Sequence, residues 1–365
     1  MKGVVTTAGS QHLYKTAEPA SRDAACLRIA RERGITIVGK TNLSEFAIGV
    51  SGINDYFGTP INSVKGKRNR MPGGSSSGSA VAVAEGFADV AFGTDTAGSI
   101  RAPAACCGIY GLKTTFGLVS LEGVYPISPQ HLDTIGPLAR DIDGLVQGMA
   151  LLQRGAESRY QTEVRKHPTA ASLRIGRLYV PGTDPAIDES VDEALKKAGF
   201  TIHPMGEEFL AAWRRAQHHG NIVASTGAWL TNKHLFHHLT VSARAKAVML
   251  LGEVNRLTAY KRALAHKEEW KRELNQALQD YDAIALPVLK KAPLKLAFTD
   301  QPAVFEARVL AIQNTVAVNL AGNPAIAIPV LLKRGGFPVT SVQFIGPNNS
   351  EAFLLNIGRI MEKHP

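Results

Sequence analysis

The sequence has 365 residues, of which 45% are hydrophobic and 20% charged, and its formal net charge is +10. This composition excludes a fibrous protein, an intrinsically disordered chain and a disulfide-stapled mini-protein, and it is typical of a globular protein with a substantial core. Only three cysteines occur, so we expect no disulfide framework and a reducing, cytoplasmic location. Because no stretch approaches the about 18 consecutive apolar residues of a spanning helix, we expect no membrane partner.

Helical and extended patterns alternate along the chain. Residues 22–34 have apolar residues near helical spacing and end in glycine, which predicts a helix, and the apolar run 35–39 predicts a strand. After a Gly/Ser cluster at 73–79, residues 89–95 predict a buried strand, and a further helix is predicted to begin at Ser99. Later strands are predicted at 173–180, 282–288, 325–331 and 340–346.

The second half of the chain adds two helical regions. Between about 206 and 281 long amphipathic helices replace the strands, which predicts a helical insertion. A closing helix is predicted at 351–364, with Leu354 and Ile357 on its apolar face. The alternation predicts an α/β protein whose sheet is covered on both faces by helices.

The densest basic run, residues 65–70, is short and contains no aromatic residue on which a base could stack. We interpret it as an exposed loop and expect no nucleic-acid partner. Histidines cluster between 218 and 238, but no cysteine or glutamate nearby completes a ligand set, so we expect no metal. Cys106 and Cys107 are interpreted as small apolar residues of a helix, and the three tryptophans as core residues or, alternatively, as the lining of a cleft.

Three roles for the Gly/Ser cluster fail on inspection. Residues 74–78 match G-x-S-x-G, but a nucleophile elbow follows a strand, and a basic segment precedes this cluster. The cluster lacks the lysine of a phosphate-binding loop, and a flexible linker would not continue into a stretch that is predicted to be buried. We therefore expect another part of the chain to pack closely against this backbone.

The turn before Ser99 is a candidate oxyanion site. Thr96, Ala97 and Gly98 lie between the predicted strand and the predicted helix. Backbone N–H groups at such a turn are unpaired, and the helix dipole adds positive potential, so an oxyanion beside Ser99 would be stabilised. The simpler interpretation is that Ser99 caps the helix, and the turn alone does not decide between the two.

Residues 73–117 taken together resemble the signature of the amidase signature family, the Ser-cisSer-Lys amidohydrolases. GITIVGKTNLSEFA at 34–47, HLDTIGPLARDI at 131–142 and the segments NLAGNPAIAIP and FPVTSVQFIG resemble further motifs of that family. The resemblance runs from about residue 3 to residue 360, and motifs of this length in this order are highly specific. It implies one domain over residues 1–365, with a mixed central sheet between helical layers.

The expected subdivisions of that domain are a signature core at about 34–145, a helical lobe at about 206–281 and a C-terminal sheet and helix at about 282–365.

The resemblance also implies roles for individual residues. Ser99 would be the acylated nucleophile, and Ser75, 24 residues earlier, the bridging serine that follows a cis peptide bond. The backbone amides of Thr96, Ala97, Gly98 and Ser99 would form the oxyanion hole. The pair Asp95 and Arg101 is interpreted as bracing this turn, and the small residues Ser77 and Ala97 replace glycines that are usual in the family.

The implied activity is hydrolysis of a carboxamide C–N bond through an acyl-serine intermediate, without a metal or an organic cofactor. The expected partner is a small-molecule amide, and a homodimer is left open. The alternative is a catalytically inactive protein that binds ligands or belongs to a complex, similar to the amidotransferase subunits that share this fold.

The general base is the weak point of this interpretation. The family's catalytic lysine lies upstream of a segment similar to residues 3–10, and Lys2 is too close to that segment to match it. Lys40 and Lys113 match non-catalytic positions. We therefore expect the chain to lack an N-terminal segment that carries the lysine, and to be slow or inactive without it; the alternative is a natural homologue without hydrolysis.

Overall fold

A computed structural model describes residues 1–64, 66–167, 169–296, 301–334 and 336–364, so Lys65 of the predicted basic loop lies outside the described residues. The strands are β1 Val90–Asp95, β2 Tyr110–Lys113, β3 Thr134–Ala139, β4 Arg174–Arg177, β5 Thr201–Pro204, β6 Ala283–Pro287, β7 Ala325–Leu331 and β8 Val339–Ile345. The helices are α1 Gln11–Thr16, α2 Arg28–Glu32, α3 Ser77–Ala84, α4 Arg101–Cys107, α5 Ile142–Leu152, α6 Ala156–Lys166, α7 Pro185–Lys197, α8 Glu207–Asn232, α9 Ala243–Thr258, α10 Tyr260–Asp280, α11 Pro302–Ala311, α12 Val316–Ala321 and α13 Glu351–Glu362.

The eight strands form one mixed sheet in the order β1-β3-β2-β7-β8-β6-β4-β5. The pairs β4–β5 and β4–β6 are parallel, and the other neighbours are antiparallel. The predicted α/β class with a mixed sheet between helices is therefore confirmed. Over the described ranges, none of the helices combines the length and the apolarity that a membrane crossing requires.

Alternation along β6 shows how the sheet separates two cores. Ala283 and Ala285 pack with α5, α6, α7 and α13, whereas Ile284 and Leu286 pack on the opposite face with α8, α10 and α12. Successive side chains of a strand point to opposite faces, so one buried strand serves both layers. A further core of α3, α4 and α11 lies beside the β1–α4 turn and places the predicted nucleophile between sheet and helices.

The helical lobe is observed, with one difference from its sequence pattern. The continuous helical pattern over 256–281 is divided, because α9 ends at Thr258 and α10 begins at Tyr260. Trp213 and Trp270 are fully buried with their rings edge to face at 6.0 Å. These two tryptophans belong to the core, while Trp229 is half-buried.

Two predicted elements of the N-terminal region differ from the structure. The helix predicted at 22–34 is reduced to the 3-10 turn Ala25–Leu27 and α2. The strand predicted at 35–39 is wrong, since this segment is irregular and Val38 is 75% exposed. A short apolar run predicts burial only if a neighbouring strand is available to pair with it, and none of the described strands pairs with this segment.

Candidate active site

Ser99 lies in the turn that joins the end of β1 to the start of α4. Its side chain is buried, with 4% of the residue exposed. The Asp95 carboxylate accepts hydrogen bonds from the amides of Gly98 at 2.8 Å, Ile100 at 3.1 Å and Arg101 at 3.4 Å. The helix N-cap is Ile100 rather than Ser99. The interpretation of Ser99 as a capping residue is therefore wrong, because Asp95 supplies the acceptor for these amides.

Asp95 and Arg101 form a fully buried ion pair. Arg101 Nη2 lies 3.0 Å from Asp95 Oδ1, and Arg101 Nε lies 3.1 Å from Oδ2. Burial by itself raises the pKa of Asp95, but the Arg101 guanidinium outweighs it and lowers that pKa to about 2. The prediction that this pair braces the turn is confirmed.

Two distant segments of the chain, one at residues 315–319 and the other in β8, complete the brace through the arginine. Arg101 Nη1 donates to the Thr315 carbonyl at 3.1 Å and to Gln343 Oε1 at 2.9 Å, and Arg101 Nη2 donates to Asn319 Oδ1 at 2.7 Å. Asn319 in turn donates to Asp95 Oδ1 at 2.8 Å. Each buried charge thus has several hydrogen-bond partners, which is the condition for a buried pair to be tolerated.

Gly98 has a backbone conformation that favours glycine, with φ of 119°. A Cβ atom at this position would lie 2.3 Å from Thr315 Oγ1, and that hydroxyl donates to the Ala97 carbonyl. The turn thus depends on glycine for both its backbone angle and its close packing.

The backbone amides of the turn divide into two groups. The amide of Gly98, a predicted oxyanion donor, already donates to Asp95. For the amides of Thr96, Ala97 and Ser99, no acceptor lies among the described residues. These three N–H groups next to a buried serine hydroxyl are the donors left for a developing oxyanion.

Ser75 is brought to the same place by the Gly/Ser cluster. The peptide bond between Gly74 and Ser75 is cis, as the family resemblance implies. The amide of Ser76 donates to the Ser99 carbonyl at 3.3 Å, so the two segments are hydrogen-bonded neighbours. Ser75 is 1% exposed, and its Oγ has no hydrogen-bond partner among the described residues. The Ser75 and Ser99 hydroxyls therefore do not bond to each other directly in this arrangement.

The expected close packing against the Gly/Ser cluster is present. The Gly78 amide donates to the Asn42 carbonyl at 2.9 Å, and a Cβ at Gly78 would lie 2.4 Å from the same oxygen. The Ser44 amide donates to the Ser75 carbonyl at 3.2 Å. The segment 34–47 is thus the part of the chain that supports the Ser75 backbone.

Ser44 is a residue of this site that sequence reasoning missed. It is fully buried, its Oγ has no partner within the described part of the chain, and a Cβ on Gly74 would lie 3.0 Å from that oxygen. Ser77 is likewise buried with an unpaired hydroxyl. The position of Ser44 inside the motif GKTNLSEFA was the available signal.

No lysine of the described residues donates to Ser75. Lys113 is fully buried and donates to the carbonyls of Thr114 at 3.0 Å and Asn323 at 2.7 Å, and burial lowers its pKa to about 7. Lys40 donates to the Val5 carbonyl at 2.7 Å, and partial burial lowers its pKa as well. The general base stays unassigned.

The remaining candidates do not extend the site. Within the described ranges, no group of three or more His, Cys, Asp or Glu side chains is arranged to hold a metal ion. Cys106 and Cys107 are buried, and burial raises the pKa of Cys107 to about 12, which suppresses the reactive thiolate.

Comparison with known proteins places these observations in a family. The family model described as Amidase matches residues 1–355. A glutamyl-tRNA(Gln) amidotransferase subunit of Clostridium acetobutylicum is 32% identical, with the alignment covering 99% of this chain and 82% of that protein. The 2-amino-5-chloromuconic acid deaminase of Comamonas testosteroni is 33% identical, over 97% of this chain and 77% of its own.

Solved structures give the same result for the fold. A glutamyl-tRNA(Gln) amidotransferase subunit of Thermotoga maritima matches with a TM-score of 0.81 and 25% identity, covering 100% of this chain and 80% of that one. The native peptide amidase of Stenotrophomonas maltophilia matches with a TM-score of 0.72 and 27% identity, covering 99% and 79% of the two chains.

Proposed function

The chain belongs to the amidase family, and from that premise we propose that it hydrolyses a small-molecule carboxamide through an acyl intermediate on Ser99. The observation that carries the proposal is the turn 96–99, where amides without an acceptor adjoin a buried serine. Donors that are already oriented stabilise a developing oxyanion without reorganising, and removing one such donor typically costs about 10²–10³-fold in rate.

In the proposed reaction, Ser99 Oγ attacks the amide carbonyl carbon, and the carbonyl oxygen takes up negative charge next to the amides of Thr96, Ala97 and Ser99. Collapse of this intermediate breaks the C–N bond and leaves an ester on Ser99. Water then attacks the ester and releases the carboxylate, so that amide and water become carboxylate and amine or ammonia.

Proton transfer requires Ser75. A serine at its ordinary pKa is a weak nucleophile, so the Ser99 proton must leave as the bond to carbon forms. We propose that it passes to the Ser75 hydroxyl, whose segment is hydrogen-bonded to the Ser99 backbone. The same path returns a proton to the leaving nitrogen. The group beyond Ser75 that accepts the proton is not assigned to a residue of this chain.

A second candidate function follows from that unassigned base. Ser75 Oγ has no partner among the described residues, and one relative is a glutamyl-tRNA(Gln) amidotransferase subunit. A chain with this arrangement could bind an amide or a partner protein without hydrolysing it. Losing a proton-transfer group typically costs about 10²–10⁴-fold, so the two functions differ in rate rather than in fold.

The experiment that separates the two is labelling with a fluorophosphonate, followed by mass spectrometry of the peptides. We expect slow labelling of Ser99 in the unmodified chain, no probe on Ser99→Ala, and labelling of Ser75→Ala that is slower still. Ser158→Ala, an exposed serine of α6, is the matched control and should label normally. Probe that remains after Ser99→Ala overturns the nucleophile, and a wild-type chain that binds amides without labelling supports the binding function.

We also propose a cytoplasmic location. Its support is that Cys26, Cys106 and Cys107 are all free thiols in this structure, the state that a reducing compartment maintains.

A further inference from the structure

Helix α9 of the helical lobe has an unusual outward face. Leu250 is 55% exposed, Val254 51% and Leu257 67%. The opposite side of the helix is already packed, since Met249 is fully buried and a Cβ on Gly252 would lie 2.0 Å from the Ser225 carbonyl of α8. The packing of α9 within the lobe thus does not use these three exposed residues. An apolar stripe on a surface helix marks an interaction site.

The spacing of the stripe is specific. Apolar residues on this side alternate by four and three positions, as in the apolar positions of a heptad; they are Ala243, Leu250, Val254 and Leu257, which are exposed, and Ala247, which is half-buried. This 4-3 repeat is the pattern with which one helix packs along another, knobs into holes. An amphipathic surface helix turns this side towards its own core, whereas here it points to solvent. We call these five residues the α9 seam.

We propose that the α9 seam binds the α9 seam of a second copy of the chain, antiparallel and about a two-fold axis. The flanking charges favour this occupant, because Lys246 and Glu253 lie seven residues apart on the same flank of the seam. Antiparallel pairing sets Lys246 of each copy near Glu253 of the other, and the two-fold axis makes this contact twice.

A neighbouring helix enlarges the surface. Arg244 of α9 pairs with Glu306 of α11 at 3.0 Å, which holds α11 beside α9. Leu251 of α9 is 50% exposed and Val304 of α11 is 55% exposed, so both neighbouring helices carry exposed apolar side chains in addition to the seam. Because one α9 is only about 24 Å long and stable interfaces bury about 1,600 Å², we expect a weak dimer with a dissociation constant in roughly the micromolar range.

The first test is sedimentation velocity of the full chain over a wide range of concentrations. We expect a monomer–dimer equilibrium that Leu257→Glu weakens by at least about tenfold, since it places a charge in the apolar seam. Leu331→Glu is the matched control, because Leu331 is 68% exposed and lies outside the lobe. Both substituted side chains are exposed, so the melting temperatures should stay equal to that of the wild type.

The second test addresses orientation. Lys246→Glu alone should weaken the dimer, and the double change Lys246→Glu with Glu253→Lys should restore it. Glu253 also pairs with Arg256 in its own helix at 2.6 Å. The melting temperature of each variant is therefore measured as well, and only variants that melt like the wild type are compared for dimerisation. A wild-type chain that is monomeric at every concentration, or a dimer that survives Leu257→Glu, overturns the proposal. Failure of the double change to restore the dimer overturns the antiparallel pairing. None of these readouts depends on Ser99 chemistry.

Discussion

Asp95 is the residue on which the shape of the Ser99 turn depends most. Its carboxylate accepts hydrogen bonds from three backbone amides of the turn and forms a fully buried ion pair with Arg101. Its pKa of about 2 lies below the ordinary 3.8 because the guanidinium favours the ionised form. A carboxyl group whose folded-state pKa is depressed stabilises the fold above its unfolded pKa, and this stabilisation is lost as pH falls through the folded pKa.

This gives a prediction for acid unfolding. Asp95→Asn leaves Arg101 buried without its partner, so we expect it to lower the free energy of unfolding by about 3–5 kcal/mol at neutral pH. Between about pH 4 and pH 2 the free energy of unfolding of the wild type should fall by about 2 kcal/mol as Asp95 is protonated, and the variant lacks this contribution. The difference in unfolding free energy between the two proteins should therefore narrow. Urea unfolding from pH 7 to pH 2 measures this, with Asp89→Asn as the control because that side chain is 95% exposed. A difference in unfolding free energy that stays constant with pH would contradict the depressed pKa of Asp95.

Gly98 allows a second prediction at this scale. Gly98→Ala forces a side chain into a φ of 119° and against Thr315, whereas Gly182 has φ of 85° with open space around its Cβ position. Gly182→Ala should therefore cost only the backbone strain, about 1 kcal/mol. Gly98→Ala should cost clearly more and should also slow labelling of Ser99. Equal unfolding free energies for the two variants would show that the Thr315 side chain moves away from the new Cβ atom without an energetic penalty.

At the scale of elements, the sequence was most informative for long buried strands. β6, β7 and β8 lie within one residue of the predicted ranges at each end. β6 and β7 are continuous apolar runs, and all three strands are largely buried. β2, β3 and β5 were missed. β2 and β5 have four residues each, too few to establish a period, and β3 contains Gly136 and Pro137, which weaken a strand pattern. The segment 35–39 shows the reverse error, an apolar run that has no strand to pair with.

The candidate site followed the same division. Ser75, Ser99 and the turn 96–98 were identifiable because a family motif spans them in one continuous run. The bonds from Arg101 to Asn319 and Gln343, and the burial of Ser44 beside Gly74, depend on contacts between segments that are far apart in sequence. Patterns within one segment carry no record of such contacts.

Helix α10 provides a prediction about how the lobe supports the site. Trp270 Nε1 donates to the Ala317 carbonyl at 2.8 Å, and α12, which contains Ala317, also carries Asn319 of the Arg101 brace. Trp270→Phe removes this hydrogen bond and leaves a smaller ring in a fully buried position, which should cost about 1–3 kcal/mol of unfolding free energy. Trp229→Phe, at a half-buried position, is the control and should cost less. Chemical denaturation followed by circular dichroism measures both, and equal losses would argue against the hydrogen bond.

At the scale of the whole molecule, the net charge of +10 is the property most open to misinterpretation. In the described part of the basic run, Arg70 is held by the Pro293 carbonyl at 2.7 Å and is not free to follow a phosphate backbone. Dispersed charge gives only weak, salt-sensitive attraction. We expect a fluorescent oligonucleotide to show no binding at about 150 mM salt, and polyglutamate to compete equally at low salt. Sequence-dependent binding that persists at this salt concentration would contradict the expectation.

The Arg101 brace has a consequence for how the protein is made. The partners of Arg101 follow it by 214, 218 and 242 residues; they are Thr315, Asn319 and Gln343. Strand β2 pairs not only with β3 but also with β7, which lies far along the chain. A ribosome must therefore translate most of the chain before the turn around Ser99 can close. Until then the arginine has no buried environment to enter, and the apolar strands of the first half stay without their central partners. Such delayed long-range closure is slow and exposes the nascent chain to aggregation, so biogenesis of this enzyme should be sensitive to chaperone supply and to premature stops near its C-terminus.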